Sequence, residues 1–416
     1  MTVIQKIRGT MDILPEETPL FRKIEGIVRE EAERYGFGEI RTPTFENTDL
    51  FVRGVGDTTD VVQKEMYTFV DRDENSSISL RPEGTASVVR ALIENGLHVA
   101  AMPQKFYYII NCFRHETPQA GRSREFFQFG TETFGSESPT ADATVIAVAA
   151  SVLDRLGLGK NVSLHVNSIG CKCCRPAYRE ALVGYYSDNH AVLCDTCRDR
   201  LGRNPLRLLD CKNPECAALA PKAPRTVDHL CEACEAHFAE LRALLDAMGI
   251  SYTVDPGIVR GLDYYTRTVF EFIAEGIGAQ STVCGGGRYD GLVESLGGPA
   301  LPGIGFGMGI TRLILAMRAL GTADVPVATP RVYIAPLGKA ATRLAMATCE
   351  RLRRAGIFAE CDLMERSLKA QMKYAGKIGA AYTLIVGDSE AESGRAQLRN
   401  METGEQEEVE ISTFTV

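Results

Sequence analysis

The chain has 416 residues, 45% of them hydrophobic and 24% charged, the make-up of an ordinary globular protein with room for roughly two to four domains. Forty-six basic residues against 54 acidic ones give a net charge of −8, so the chain as a whole is no polycation built to wrap nucleic acid, although a local basic surface stays open. No run of about 18 apolar residues occurs, and the start MTVIQKIRGT lacks the apolar core of a signal peptide; transmembrane and secreted classes fall away and a cytoplasmic protein is expected.

Residues 18–35 place Leu20, Ile24, Ile27, Val28 and Tyr35 at helical spacing and stop at Gly36, which predicts an amphipathic helix with a glycine C-cap. Pro43 breaks the next stretch into strand or turn. Residues 67–70, the turn DRDENS and ISLRPE then read as antiparallel sheet. Two aromatic-rich, β-prone runs, 105–114 and 125–134, are joined by HETPQAGRSR, a loop too long for a tight hairpin and of the kind that grips a ligand. In the second run a period of two puts Gln128 and Glu132 on a polar face, Phe127 and Phe129 on a core face.

Residues 141–156 follow as a helix and NVSLHVNSIG as a strand. Of the 13 cysteines, nine fall between Cys171 and Cys234, and this stretch, about 170–235, interrupts the main domain as an insertion. A helix at 237–248 leads back to strand-like text, VDPGIVRGLDYYTRTVFEFI, then GGGRYDGL, then a glycine-rich strand entering a helix, PGIGFGMGITRLILAMRAL. After the linker ADVPVATP, strands alternate with helices, which implies a small three-layer α/β domain. Its residues 331–377 carry ten basic against four acidic side chains, a half that suits a phosphate backbone as well as it suits a solvated face.

Three arginines stand where a ligand could meet them: Arg114 at a strand end, Arg260 in VRGLDYYT, and Arg312 at a helix start after GIGFGMGIT. Guanidinium forks stay charged and match phosphate or carboxylate, although each arginine taken singly reads as an ordinary ion-pair residue. The glycines before Arg312 fit neither a Walker A loop nor a dinucleotide-binding turn. Glu83 in RPEGT, with Gln128 and Glu132, offers carboxylates and an amide for a cationic or NH-bearing ligand; the bland alternative is a pair of surface acids. Tyr264 and Tyr265 add flat walls, and strand alternation would turn one of them into the core.

The segments IRGTMDILPEE, RPEGTASVVRA, FYYIINCFRHETPQAGRSREFFQFGTETFG, VRGLDYYTRTVFE, GGGRYDGL and GIGFGMGITRLIL, in this order, resemble histidyl-tRNA synthetases of the bacterial kind, a family of class II aminoacyl-tRNA synthetases, nearly end to end. The resemblance implies an α+β fold. A catalytic domain at 1–325, an antiparallel sheet flanked by helices and dimeric around Pro43, is interrupted by the cysteine-rich insertion, and an α/β anticodon-binding domain occupies 330–416. It implies activation of histidine by ATP, with Mg2+, and transfer of histidine to the 3′ end of tRNA(His) by a homodimer without membrane attachment.

By the same resemblance Arg114 matches the arginine on the ATP α-phosphate, Arg312 the one on the far phosphates, and Arg260 the catalytic arginine between carboxylate and α-phosphate. Glu83, Thr85, Gln128, Glu132, Tyr264 and Tyr265 match the histidine pocket, while Arg122 and Gln119 lie in the loop that approaches the nucleotide or the tRNA acceptor end. The pairs Cys171/Cys174, Cys194/Cys197 and Cys231/Cys234 are each CxxC, and Cys211 with Cys216 adds a looser pair, enough for one or two structural zinc sites. Free thiols and disulfides compete with zinc, since the family's insertion is helical and in most members is not associated with metal. Three rival readings are a regulatory paralogue serving ATP phosphoribosyltransferase, a zinc-dependent nucleic-acid-binding protein, and an α/β ligand-binding protein.

Overall fold

Helix α1 (Thr18–Arg34) forms because Leu20, Phe21, Ile24, Val28 and Ala32 fall on one stripe, with a proline at its first turn and a positive φ at Gly36 just beyond its end. In the computed structural model, which describes residues 3–57, 59–72, 76–209, 211–258, 262, 264–276 and 281–416, the chain makes two compact units, Met1–Val325 and Pro326–Val416.

In the first unit α1 is followed by β1 (Gly38–Glu39), β2 (Phe45–Asn47), α2 (Thr48–Val55), β3 (Thr68–Val70), β4 (Ser77–Leu80), α3 (Thr85–Glu94), β5 (Gln104–Phe113), β6 (Glu125–Phe134), α4 (Pro139–Arg155) and β7 (Val162–Ser168). The insertion supplies α5 (Arg175–Asp188), α6 (Asp195–Arg203), α7 (Pro214–Ala217) and the start of α8 (Glu232–Ala247). Next come β8 (Thr253–Val254), β9 (Thr266–Ala274), β10 (Thr282–Arg288), α9 (Leu292–Ser295), β11 (Gly303–Gly309) and α10 (Ile310–Ala319). The main sheet runs β1-β5-β6-β11-β10-β9-β7-β8, antiparallel except for the parallel edge pairs β1/β5 and β7/β8, and β2, β4 and β3 form a small antiparallel sheet of their own.

Side-chain alternation gives the main sheet two faces. Phe129, Phe270, Phe272, Ile304, Phe306 and Met308 meet α1, α4, α8 and α10 in the largest core, whereas Tyr108, Ile110, Phe134 and Val269 look the other way, toward α3 and α9. Gln128 and Glu132 lie on this second face, as the period of two in β6 requires. Helix α8 begins at Glu232, five residues before the start read from sequence, because Cys231 already stands at its N-cap.

Arg288, at the end of β10 and 0% exposed, ties the sheet to α4. It donates to both carboxylate oxygens of Asp142, itself fully buried, to Asp290 at 3.0 Å and to the carbonyl oxygens of Ser136 and Ser138. These partners satisfy a guanidinium that would otherwise be intolerable in a core.

The second unit contains β12 (Val332–Pro336), α11 (Lys339–Arg354), β13 (Ala359–Cys361), α12 (Leu368–Lys377), β14 (Tyr382–Val386), α13 (Asp388–Ser393), β15 (Arg395–Asn400) and β16 (Gln406–Glu410). Its sheet, β13-β12-β14-β15-β16, is parallel through β14 and antiparallel thereafter. One face packs on α11 through Val332, Ile334 and Leu384, the other on α12 through Tyr333 and Ala335. Among the described residues no helix is long and apolar enough to cross a membrane.

Asp142→Ala should lower the free energy of unfolding in urea by about 3–5 kcal/mol, and Asp142→Leu with Arg288→Met should recover most of that loss, because the cost lies in stranding one charge. A loss under about 1 kcal/mol in the single variant would remove the pair from the core's stability.

Candidate active site

A cleft opens on the second face of the main sheet, walled by the segment before α3, by β5 and β6, by residues 264–265, by β10 and β11 and by the start of α10. Two of its sides differ in chemistry.

The first side is acidic and hydroxyl-rich. Glu132, 0% exposed beneath the lining, accepts hydrogen bonds from Thr85 Oγ1 (2.7 Å), Tyr108 OH (3.1 Å) and Tyr289 OH. Burial pushes its carboxyl up to about 8; the three hydroxyls pull back, and the neighbouring charge of Glu83 adds to the rise. Glu83 accepts from the backbone N–H groups of Thr85 (2.7 Å) and Ala86 (2.8 Å), capping α3, and burial outweighs these bonds to raise its carboxyl as well. Burial also raises the phenols of Tyr108, Tyr264 and Tyr289, so they remain protonated donors.

Space for these side chains comes from β11. A Cβ at Gly305 would lie on Glu132 and one at Gly307 on Gln128, because this strand runs antiparallel beside β6, with Gly305 directly opposite Glu132 and Gly307, opposite Gly130, diagonal to Gln128. The GIGFGMG pattern thus makes room for neighbouring side chains as well as for a ligand.

The second side is cationic. Arg114 donates through Nε to the carbonyl of Pro82 (2.9 Å) and lies 5.3 Å from the Phe126 ring. Arg122 faces Glu116 at 3.3 Å, and Arg312 donates to the carbonyl oxygens of Gly121 (3.0 Å) and Thr282 (2.8 Å). Burial lowers the Arg312 pKa first, and the positive charges of Arg114 and Arg122 lower it further, so three guanidiniums share one field. The 115–124 loop closes as a small turn in which Gln119 and Arg122 exchange backbone hydrogen bonds of 3.1 and 2.9 Å.

The cleft lining therefore brings together Glu83, Thr85, Gln128, Tyr264, Tyr265, Arg114, Arg122 and Arg312, with Glu132 beneath it. Arg260, with Val259, Gly261 and Asp263, lies outside the described residues. Tyr264 and Tyr265 depart from strand alternation: they precede β9, their ring centroids are 4.7 Å apart, and both line the cleft. Tyr108 and Tyr289, which sequence reasoning missed, hold Glu132; the visible signal was Tyr108 falling on the Gln128/Glu132 face, opposite Gly130 in the β5/β6 register.

The cysteines gather into two groups of four, the larger of the two numbers that their spacing allowed, and Cys211 and Cys216 are full members of the second. Cys171, Cys174, Cys231 and Cys234 make one cluster, and Cys194 and Cys197 join Cys211 and Cys216 in another, each with its four sulfurs within 4.8 Å of one another. None of these eight cysteines is joined in a disulfide.

An antiparallel sheet carrying a cleft with a cationic and an acidic side, followed in the chain by an α/β unit, agrees with the class II aminoacyl-tRNA synthetase fold that comparison with known proteins shows. The family model for histidyl-tRNA synthetase matches residues 9–171 and 204–313, and that for an anticodon-binding domain matches 331–415. Histidine–tRNA ligases of Desulforamulus reducens and Acetivibrio thermocellus are each 51% identical, over 97% and 99% of this chain and 96% and 98% of their own. The crystal structure of apo S. aureus histidyl-tRNA synthetase superposes with a TM-score of 0.82 at 40% identity, covering 99% of this chain and 98% of the other. The chain belongs to the histidyl-tRNA synthetase family.

The raised carboxyl of Glu132 has a defined effect on stability. The native state holds its proton up to about pH 8, whereas the unfolded chain releases it near the ordinary glutamate value of about 4.3; the stabilisation is complete below the lower value and is lost as pH rises to the upper one. The ligand-free parent should accordingly lose stability relative to Glu132→Gln between about pH 5 and about pH 8 in urea titrations. A pH-independent difference would show that Glu132 is ionised throughout.

Proposed function

We propose that this chain activates L-histidine with ATP and transfers it to the 3′ end of tRNA(His). A histidine carboxylate oxygen attacks the α-phosphorus, the bond to the bridging oxygen breaks and pyrophosphate leaves. The terminal ribose hydroxyl of the tRNA then attacks the histidyl carbonyl and AMP leaves. The observation that carries this reading is the two-sided cleft: buried carboxylate and hydroxyl groups on one side, three arginines on the other.

Glu83, Thr85, Gln128, Glu132, Tyr264 and Tyr265 form the histidine pocket. Glu132 accepts an imidazole N–H in a site where an apolar isostere would leave buried polar groups unpaired, which is the strongest form of discrimination such a pocket has. Arg114, Arg122 and Arg312 bind the triphosphate. Arg114 and Arg260 are catalytic, since bringing a carboxylate to a phosphoryl group asks for permanent cations near both. Mg2+ accompanies the nucleotide and spreads the charge of its phosphates; Glu116 and Glu271, whose charges both reach Arg312, are the carboxylates of the kind it binds. The basic residues of 331–377 meet the tRNA, and the enzyme works in the cytoplasm as a homodimer, its domains being 1–325 and 330–416.

The regulatory-paralogue reading is weaker, because such proteins typically lack the anticodon-binding domain whose model matches 331–415 here.

ATP–pyrophosphate exchange with each of the twenty amino acids offered singly should give exchange with histidine alone. Arg114→Ala should lower that rate at least about 100-fold, and Arg260→His or Lys should lower it by a few orders of magnitude without unfolding the chain. A rate within about twofold of the parent would remove the variant residue from catalysis. No exchange at all, in a folded chain that still binds histidine, would return the paralogue reading.

A further inference from the structure

The insertion has too little core to stand by itself. Residues 171–234 enclose a small apolar cluster around Tyr178, Leu182, Tyr186 and Leu208, and two of the sulfurs, those of Cys197 and Cys216, belong to it. A lobe of roughly 60 residues with so small a core is of the size that needs covalent or metal staples. The family model for the catalytic domain leaves 172–203 unmatched, a stretch that includes Cys174, Cys194 and Cys197.

The sulfur geometry suits a metal. In the first cluster Cys171 lies 3.7 Å from Cys231 and 3.7 Å from Cys174, and Cys174 lies 3.8 Å from Cys234; in the second, Cys194 lies 3.9 Å from Cys211. A zinc tetrahedron with Zn–S bonds of about 2.3 Å has edges of about 3.8 Å, nearly twice the ~2.05 Å of a disulfide bond. Backbone N–H groups already donate to the sulfurs: Cys171 N to Cys174 (2.9 Å), Cys173 N to Cys171 (3.3 Å) and Cys194 N to Cys216 (3.1 Å). Such bonds stabilise thiolates and orient metal ligands. Four thiolates on one Zn2+ release their protons and leave a site of charge −2, and Lys172 and Arg175, or Arg198 and Lys212, stand next to the cysteines in sequence.

The first cluster is linked, through Arg175 and the backbone around Gly170, to the segment that carries Tyr265. A Cβ at Gly170 would touch the Cys174 sulfur, and Gly170 pairs with Arg267: the Arg267 N–H donates to Gly170 at 2.9 Å and the Ile169 N–H to Arg267 at 2.8 Å. Arg175, one residue after Cys174, donates to the carbonyl of Tyr265. Arg267 itself adopts φ 50°, a conformation an arginine keeps only when its surroundings impose it. The outer cysteines thus join the two ends of the insertion where they grip the segment that carries Tyr265.

We propose that each four-cysteine cluster is a closed tetrathiolate zinc site, and that the site at Cys171, Cys174, Cys231 and Cys234 is a clamp that positions the Tyr265 wall of the histidine pocket. The site at Cys194, Cys197, Cys211 and Cys216 holds only the distal lobe. The metal sites stand independently of the synthetase reading; the clamp rests on it.

Full-length chain purified without chelator should contain about two zinc ions by mass spectrometry of the metal, and Co2+ exchanged into it should show the intense visible absorption of tetrathiolate cobalt. Cys231→Ser/Cys234→Ser should lose one zinc and raise the KM for histidine about tenfold in pyrophosphate exchange, whereas Cys211→Ser/Cys216→Ser should lose the other and keep KM within about twofold. Should the first variant fail to fold, stepwise zinc removal from the parent by a chelator, followed by histidine calorimetry, gives the same comparison: affinity should fall with loss of the outer ion. Less than about 0.2 zinc per chain in folded protein, with the cluster thiols free to a thiol reagent, would overturn both sites. Equal histidine KM in the two variants, or affinity unchanged after full zinc removal, would overturn the clamp. Two zinc ions without any exchange would count against the synthetase reading alone.

Discussion

A carboxylate buried under the sheet, held by three hydroxyls instead of a cation, sets the terms for the acidic side of the cleft. Glu132 is tolerable there only because Thr85, Tyr108 and Tyr289 point their hydroxyls at it from three different elements. Those elements have to arrive in register: α3 must begin at Thr85, which Glu83 secures by capping it, and β11 must present glycine where Glu132 and Gln128 project. A carboxyl left near neutrality in this way costs little to bury while empty and can still ionise opposite an imidazole, whose own pKa of about 6.5 lies in the same range.

Much of this was legible in the sequence, and for a physical reason. Periodicity is a local property, so α1, β6 with its polar and core faces, and the alternation of strands and helices after residue 330 could be read without knowing what they touch. Glu83, Gln128 and Glu132 could be named as a set because two of them share a strand face. What could not be read was whatever depends on meetings across the fold. Tyr289 reaches Glu132 from far along the chain, and Arg288 finds Asp142 across the core, with no signal in the spacing of either. Tyr264 and Tyr265 were assigned to opposite faces because alternation was applied to residues that turn out to precede β9.

The cysteines show the same limit in sharper form. Spacing groups them into CxxC pairs but cannot say which pairs meet. The pairing follows from topology: an insertion leaves and re-enters its host at one place, so its first and last pairs, Cys171/Cys174 and Cys231/Cys234, must lie together, and the pairs between them are left to each other. Once the ends are known to be joined, Cys211 and Cys216 cease to be a loose extra and become the missing half of the inner set.

The two sides of the cleft meet at Arg114. Its charge works against the burial that raises the Glu83 carboxyl on the acidic side and adds to the burial that lowers the Arg312 guanidinium on the cationic side, so it is electrostatically in touch with both. Its Nε–H is fixed on the Pro82 carbonyl, and its plane rests near the Phe126 ring, so the orientation of the cation is set by backbone and core and not by a ligand. On the proposed reading, an amino acid held by Glu83 and Glu132 and a nucleotide held by Arg312 would each turn its negative group toward the ground between them, where carboxylate and phosphate would repel. A cation already anchored there lowers the work of bringing the two anions together before any bond forms, which is where preorganisation contributes most.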